Sequence, residues 1–177
     1  MSSPIKGTGR TGADLQDKDE AENVMIVDLV RNDLSRVCVP GSVEVPSLLR
    51  REEHPGLVHL VSDVVGRLSP EATWARILDA TFPPGSVTGA PKASALRLID
   101  ELEPASRGVY CGAIGWIDAD REEAELAVAI RTFWAADGML HFGTGAGITW
   151  GSDPLGEWHE TELKAARLIA LASGGGA

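Results

Sequence analysis

At 177 residues the chain is long enough for a domain with a hydrophobic core, and its 44% apolar content excludes whole-chain disorder. Sixteen Lys and Arg against 26 Asp and Glu leave a net charge of −10, which repels phosphate backbones and acidic membrane surfaces and argues against nucleic acid as a partner. Cys38 and Cys111 show no metal-type spacing, and no apolar run reaches membrane-spanning length or the core of a signal peptide, so a cytoplasmic protein with no membrane partner is expected.

The opening MSSPIKGTGR is Gly-rich, and on residue statistics its Lys6 reads as one more solvated cation. DLQDKDEAENVMIVDLVRNDLSRV has apolar residues at 21, 24, 25, 29 and 34 with Asp14 placed to cap it, which predicts a helix. VCVPGSVEVPSLL and PGLVHLVSDVVGRL are Val-rich and predict strands. SPEATWARILDATF, with Ser69 as cap, and APKASALRLIDELEP, with Pro91 near its first turn, predict helices on either side of the turn-rich PPGSVTG. YCGAIGWIDA, AELAVAIRTFWA and GMLHFGTGAGIT follow as strands, and DPLGEWHETELKAARLIALA as a long last helix. The order predicts an α+β fold with mainly antiparallel pairing. Residues 1–172 read as one domain, and 173–177 as a flexible Gly-rich tail.

Several motifs fail on spacing. GSVTGAPK lacks the adjacent Gly-Lys-Ser/Thr of a phosphate-cradling loop, GTGAGI has Ile148 where the dinucleotide fingerprint needs glycine, and HETEL has Leu163 where a zincin needs its second histidine. The carboxylates are more informative. Asp19 and Glu22, and again Glu157 and Glu160, stand three apart on predicted helices, so each pair shares a face. Two such faces would offer hard oxygen ligands to Mg2+; two solvated acidic faces are the other reading. GTGAGI fits either close backbone approach to an anionic ligand or a sheet corner. Arg131, ending an apolar strand, suits a bidentate carboxylate clamp or a structural ion pair, and His59 among apolar residues suits a core position.

Read in order, PIKGT, AENVMIVDLVRNDLSRV, GSV, LVHLVS, FPPGSVTGAPK, IDELEP, RGVYCGAIGW, AIRT, GAGI, SDP and EWHETELKA resemble the C-terminal part of the chorismate-utilising enzymes. The likeness is strongest to component I of aminodeoxychorismate synthases, with component I of anthranilate synthases a close relative, and it covers the chain up to the Gly-rich tail. It implies the C-terminal half of a chorismate-binding fold, with antiparallel sheets covered by helices and a missing N-terminal half as partner. Anthranilate synthases usually carry an uncharged residue, commonly alanine, where Lys6 stands. The aminodeoxychorismate synthases carry lysine as a nucleophile, which implies amination of chorismate with ammonia from a glutamine amidotransferase partner, in the 4-aminobenzoate branch of folate synthesis. Such an amine must be unprotonated to attack, which burial or a neighbouring cation would favour.

The resemblance also assigns roles. Glu22 and Glu160 match the principal Mg2+ ligands, supported by Glu157 and Asp19. Tyr110 and Arg131 match the residues that hold the enolpyruvyl carboxylate, assisted by backbone N–H groups from Gly145 through Ala146 and Gly147 to Ile148. His59, Thr88 and Lys164 match further active-site positions, His59 near the ring and Lys164 near the metal and carboxylate. Trp158 departs from the tyrosine usual between the two glutamates. Family members also carry a long upstream segment with a glutamate that protonates the departing C4 hydroxyl. The alternatives are an anthranilate synthase or other chorismate-converting relative, and a catalytically silent fragment that binds chorismate or a partner.

Overall fold

The computed structural model describes residues 1–55 and 57–174, so the last three residues of the expected Gly-rich tail lie outside the described residues. The chain forms two compact units, Met1–Leu102 and the segment from Glu103 onward.

The first unit runs β1 (Ile5–Gly9), α1 (Asp17–Ser35), β2 (Glu44–His54), β3 (Leu57–Val65), α2 (Trp74–Thr81), the single turn α3 (Gly85–Thr88) and α4 (Lys92–Leu102). Its antiparallel sheet has the order β1-β3-β2, which puts the Val-rich β3 in the middle. Val58, Leu60, Ser62 and Val64 of β3 are buried, and α1, packed on β1 and β3, contributes Asn23, Ile26 and Val27. Val37, Cys38 and Ala80 form a second small core with Leu34, Val43 and Ala72 around them. Lys92 ties three helices together: its amine lies 3.1 Å from Asp33 of α1 and donates to the Ala80 carbonyl of α2 at 2.8 Å.

Several boundaries differ from expectation for physical reasons. The Gly-rich opening is a strand, because β3 offers it a ladder to pair with. Asp14 does not cap α1; it accepts from the backbone and hydroxyl of Thr11 in a 3-10 turn, Gly12–Asp14, and those bonds hold its carboxyl below the ordinary range. The N-cap of α1 is Gln16, whose N–H is bonded by Asp19. The strand expected over 37–49 begins only at Glu44, since Val37 and Cys38 are bonded back to Leu34 at the end of α1. It then continues through Arg50–His54, charged residues that suit a strand at the edge of a sheet. Thr73, not Ser69, caps α2.

The second unit contains two antiparallel hairpins, β4 (Ala113–Asp118) with β5 (Glu123–Val128) and β6 (Phe133–Ala136) with β7 (Met139–Phe142), then α5 (Pro154–Ala172). Asp153 caps α5 through the Gly156 N–H, and Pro154 opens it. The single strand expected over AELAVAIRTFWA is broken into β5 and β6 at Arg131, whose φ of 51° is incompatible with extended pairing. The segment 143–149 joins no strand. Ile114, Trp116 and Ile117 of β4 remain 41–50% exposed. No helix among the described residues is long and apolar enough to cross a membrane.

Candidate active site

Lys6 owes its position to an irregularity in β1. Ile5 pairs with Val61 and Thr8 with His59, so three steps on β1 oppose two on β3, and the extra residue makes a bulge. Gly7 allows it: its φ is +95°, and a Cβ there would stand 3.0 Å from Asp19 Cβ and 3.1 Å from Leu60 Cδ1. The bulge sends the Lys6 side chain, 36% exposed, to α1, where its amine sits 2.6 Å from Glu22 Oε2. The more exposed Lys18 approaches the other oxygen of Glu22 at 3.6 Å. The neighbour of Lys6 is thus an anion and its side chain is only partly buried, whereas burial or a neighbouring cation would favour the unprotonated amine.

The backbone of Lys6 is held from below. Asn23, next to Glu22 on α1, donates to the carbonyls of Lys6 and Leu60, each at 3.1 Å, and accepts from Ser62 Oγ at 2.6 Å. Sequence reading passed over both residues, although a serine inside the run LVHLVSDVV is the signal a buried polar pair leaves. His59 shares a 2.8 Å hydrogen bond with Thr8 and packs its ring edge-on against His54, so it is a half-buried residue on the strand beside Lys6. Thr88 closes the α3 turn by donating to the Pro84 carbonyl at 3.1 Å.

In the second unit the structure brings Tyr110, the 143–145 backbone, Lys164 and Glu160 together. The Tyr110 ring lies so close over Gly143 that any side chain there would collide with it, and its hydroxyl stands 3.1 Å from where a Cβ on Gly145 would be. Lys164 donates to the Gly145 carbonyl at 3.4 Å and pairs with Glu160, one turn back on α5, at 2.7 Å. Ala146 is half-buried, while Gly147 and Ile148 are exposed. Glu157 Oε1 accepts from Ser152 Oγ at 2.6 Å. Arg131 is an exposed residue between β5 and β6. Arg107, missed from the sequence, pairs with Glu103 and stands over the Tyr110 ring at 5.8 Å.

Burial pushes the Tyr110 hydroxyl up to about 12. The native state therefore keeps this proton at pH values where an unfolded chain loses it, and the contribution to stability disappears as pH rises from about 10 to about 12. Gly143→Ala is expected to displace the ring into water and move the phenolate transition down toward 10. Tyr110 is the chain's one tyrosine, so a spectrophotometric titration of this chain reads it directly.

Carboxylates are the donor type Mg2+ prefers, and it needs only one or two from the protein. Asp19 and Glu22 share one helix, and Glu157 and Glu160 another. Here Glu22 is engaged by Lys6, Glu160 by Lys164, Glu157 by Ser152 and Asp19 by the α1 cap, so a cation would compete with these contacts. Among the described residues no group of three or more His, Cys, Asp or Glu is assembled that could hold a metal. The residues fit Mg2+ in type.

Residues 1–170 match the family described as chorismate binding enzyme. The chain belongs to that family. Among its relatives in the chorismate-binding family, anthranilate synthase component 1 of Saccharolobus solfataricus is 45% identical over 91% of this chain and 41% of its own length. Aminodeoxychorismate synthase component 1 of Salmonella typhimurium is also 45% identical, over 86% of this chain and 33% of its own. The crystal structure of anthranilate synthase component I from Streptococcus pneumoniae superposes with a TM-score of 0.82 at 39% identity, over 94% of this chain and 39% of the other. The chain thus spans about two-fifths or less of the length of these family members. The α+β architecture with antiparallel sheets and helices is that of a chorismate-utilising enzyme.

Proposed function

We propose that this chain carries the nucleophile of an enzyme that aminates chorismate to 4-amino-4-deoxychorismate. The observation that carries the reading is Lys6: a primary amine brought to the acidic face of α1 by a bulge and a positive-φ glycine, in a family whose resemblance separates lysine-bearing aminodeoxychorismate synthases from alanine-bearing anthranilate synthases at this position. The Lys6 amine forms a bond to ring carbon C2 as both ring double bonds shift by one position and the C4 hydroxyl, taking a proton, leaves as water. Ammonia then adds at C4 and loses a proton, both double bonds shift back, the C2–nitrogen bond breaks, and the amine is returned. The net change is chorismate plus ammonia giving the aminated ring plus water.

The resemblance assigns Glu22 and Glu160, with Glu157 and Asp19, as Mg2+ ligands, and the ion would supply positive charge to balance the ring carboxylate against glutamates. Tyr110, Arg131 and the Gly145–Ile148 backbone would orient the enolpyruvyl carboxylate, with Lys164 beside them, while His59 and Thr88 border the ring. Ammonia would come from a glutamine amidotransferase partner, and the N-terminal half of the fold would complete the architecture. The equal identity of relatives named for anthranilate synthesis supports the second reading, conversion of chorismate to anthranilate. Product analysis of the full-length protein with chorismate, Mg2+ and ammonium separates the two. 4-Amino-4-deoxychorismate is the expected product, and anthranilate would overturn the proposal.

A further inference from the structure

A side chain with no exposed surface sits beneath Lys6. Asn23 is 0% exposed, and so is Ser62, which donates to it. The two carbonyls facing Nδ2, those of Lys6 and Leu60, fix which end of the amide is nitrogen, and the Ser62 hydroxyl holds the other end while accepting from the Leu49 N–H at 2.9 Å. Every member of this network is satisfied, so it has one arrangement rather than several. Lys6 and Gly7 are the residues that the β1–β3 register leaves without a cross-strand partner, and Asn23 bonds the Lys6 carbonyl from the helix. An apolar residue of the same size would fill the space between helix and sheet as well. What the amide adds is direction.

We propose that Asn23 is a positioning residue for the Lys6 amine: α1 grips Lys6 at both ends, Asn23 by its carbonyl and the adjacent Glu22 by its ammonium group. The inference rests on Lys6 being the reacting group. It assigns Asn23 no contact with substrate; the residue acts by holding the bulge that aims the lysine. Loss of the amide lets the Lys6 backbone move relative to Glu22, and displacement of a reacting atom by about 1 Å costs on the order of 100-fold in rate.

The test uses the full-length protein and two variants, Asn23→Leu, which keeps the volume, and Ser62→Ala, which only loosens the amide. Limited acylation with an amine-reactive ester at one fixed pH, read by peptide mass spectrometry, gives the labelling rate of Lys6 against Lys18, Lys92 and Lys164 as internal standards. Lys6 labelling is expected to change by about tenfold in Asn23→Leu and about threefold in Ser62→Ala with the standards unchanged, and kcat to fall by about 10- to 100-fold with the KM for chorismate within about threefold of wild type. Unchanged Lys6 labelling in the folded variants overturns the proposal, as does a rise in KM with kcat intact. Should Asn23→Leu fail to fold by circular dichroism, Ser62→Ala decides alone on the same readings. If Lys6→Ala keeps wild-type turnover, the lysine mechanism falls, while the labelling rates still show whether Asn23 holds the amine.

Discussion

On the proposed mechanism, Lys6→Ala in the full-length protein is expected to lower amination of chorismate by about 10³-fold or more, because removal of a covalent nucleophile deletes the route rather than weakening it. Steady-state assay with chorismate, Mg2+ and ammonium reads the loss, and circular dichroism should show an unchanged fold, since the replaced side chain is 36% exposed and its ion pair contributes little to stability. Lys18→Ala is the control. Lys18 also approaches Glu22, at 3.6 Å, but its side chain is 75% exposed and it lies on the helix instead of the bulge, so turnover should stay within about threefold. Equal losses in the two variants would mean that charge near Glu22 matters and that lysine chemistry does not.

The second large effect is on stability. Leu60 is 1% exposed in the middle strand and lies under the bulge against Gly7, so Leu60→Ala removes packing from the place where β1, β3 and α1 meet. A loss of about 2–5 kcal/mol is expected, the range for deleting a buried leucine side chain whose surroundings cannot fully collapse. For a domain stable by roughly 5–15 kcal/mol this is a large share. Urea unfolding should show a lower midpoint with an unchanged slope. An unaltered midpoint would mean that the sheet and α1 do not depend on this contact.

The elements legible in the sequence were those whose pattern comes from one large interface. β3 announces itself by its valines because it is paired on both sides, and α1, α4 and α5 follow from the spacing of their apolar residues. β1 was not legible, since IKGTG has neither alternation nor β-branched density and is a strand only because β3 pairs with it. β2 was displaced because Val37–Val43 has the composition of a strand, whereas the charged run RREEH has that of a surface and yet suits an edge. The break at Arg131 is a backbone event that an apolar pattern cannot announce.

The candidate site divides in the same way. The lysine, the carboxylates, the tyrosine and the glycine-rich segment could be named from motifs. Their immediate supports could not. Asn23, Ser62 and Thr8 act through hydrogen bonds between elements 39 to 51 residues apart in the chain, and Arg107 acts through a ring it faces across a turn. Such contacts leave a trace only as a polar letter in an apolar run. The thiols are a contrasting case: Cys38 and Cys111 are both buried and burial raises both, so neither has the thiolate character of a reactive cysteine.

The one-residue mismatch between β1 and its neighbour makes the length of the opening strand matter as much as its letters. Deleting any residue between Ile5 and Thr8 would let the ladder close with ordinary alternation, and alternation has a period of two. A lysine kept through such a shortening would sit at an altered register, free of the irregularity that now turns it toward the helix. Substitution tables would score the shortened strand as nearly native, while the amine they retain would have lost its aim.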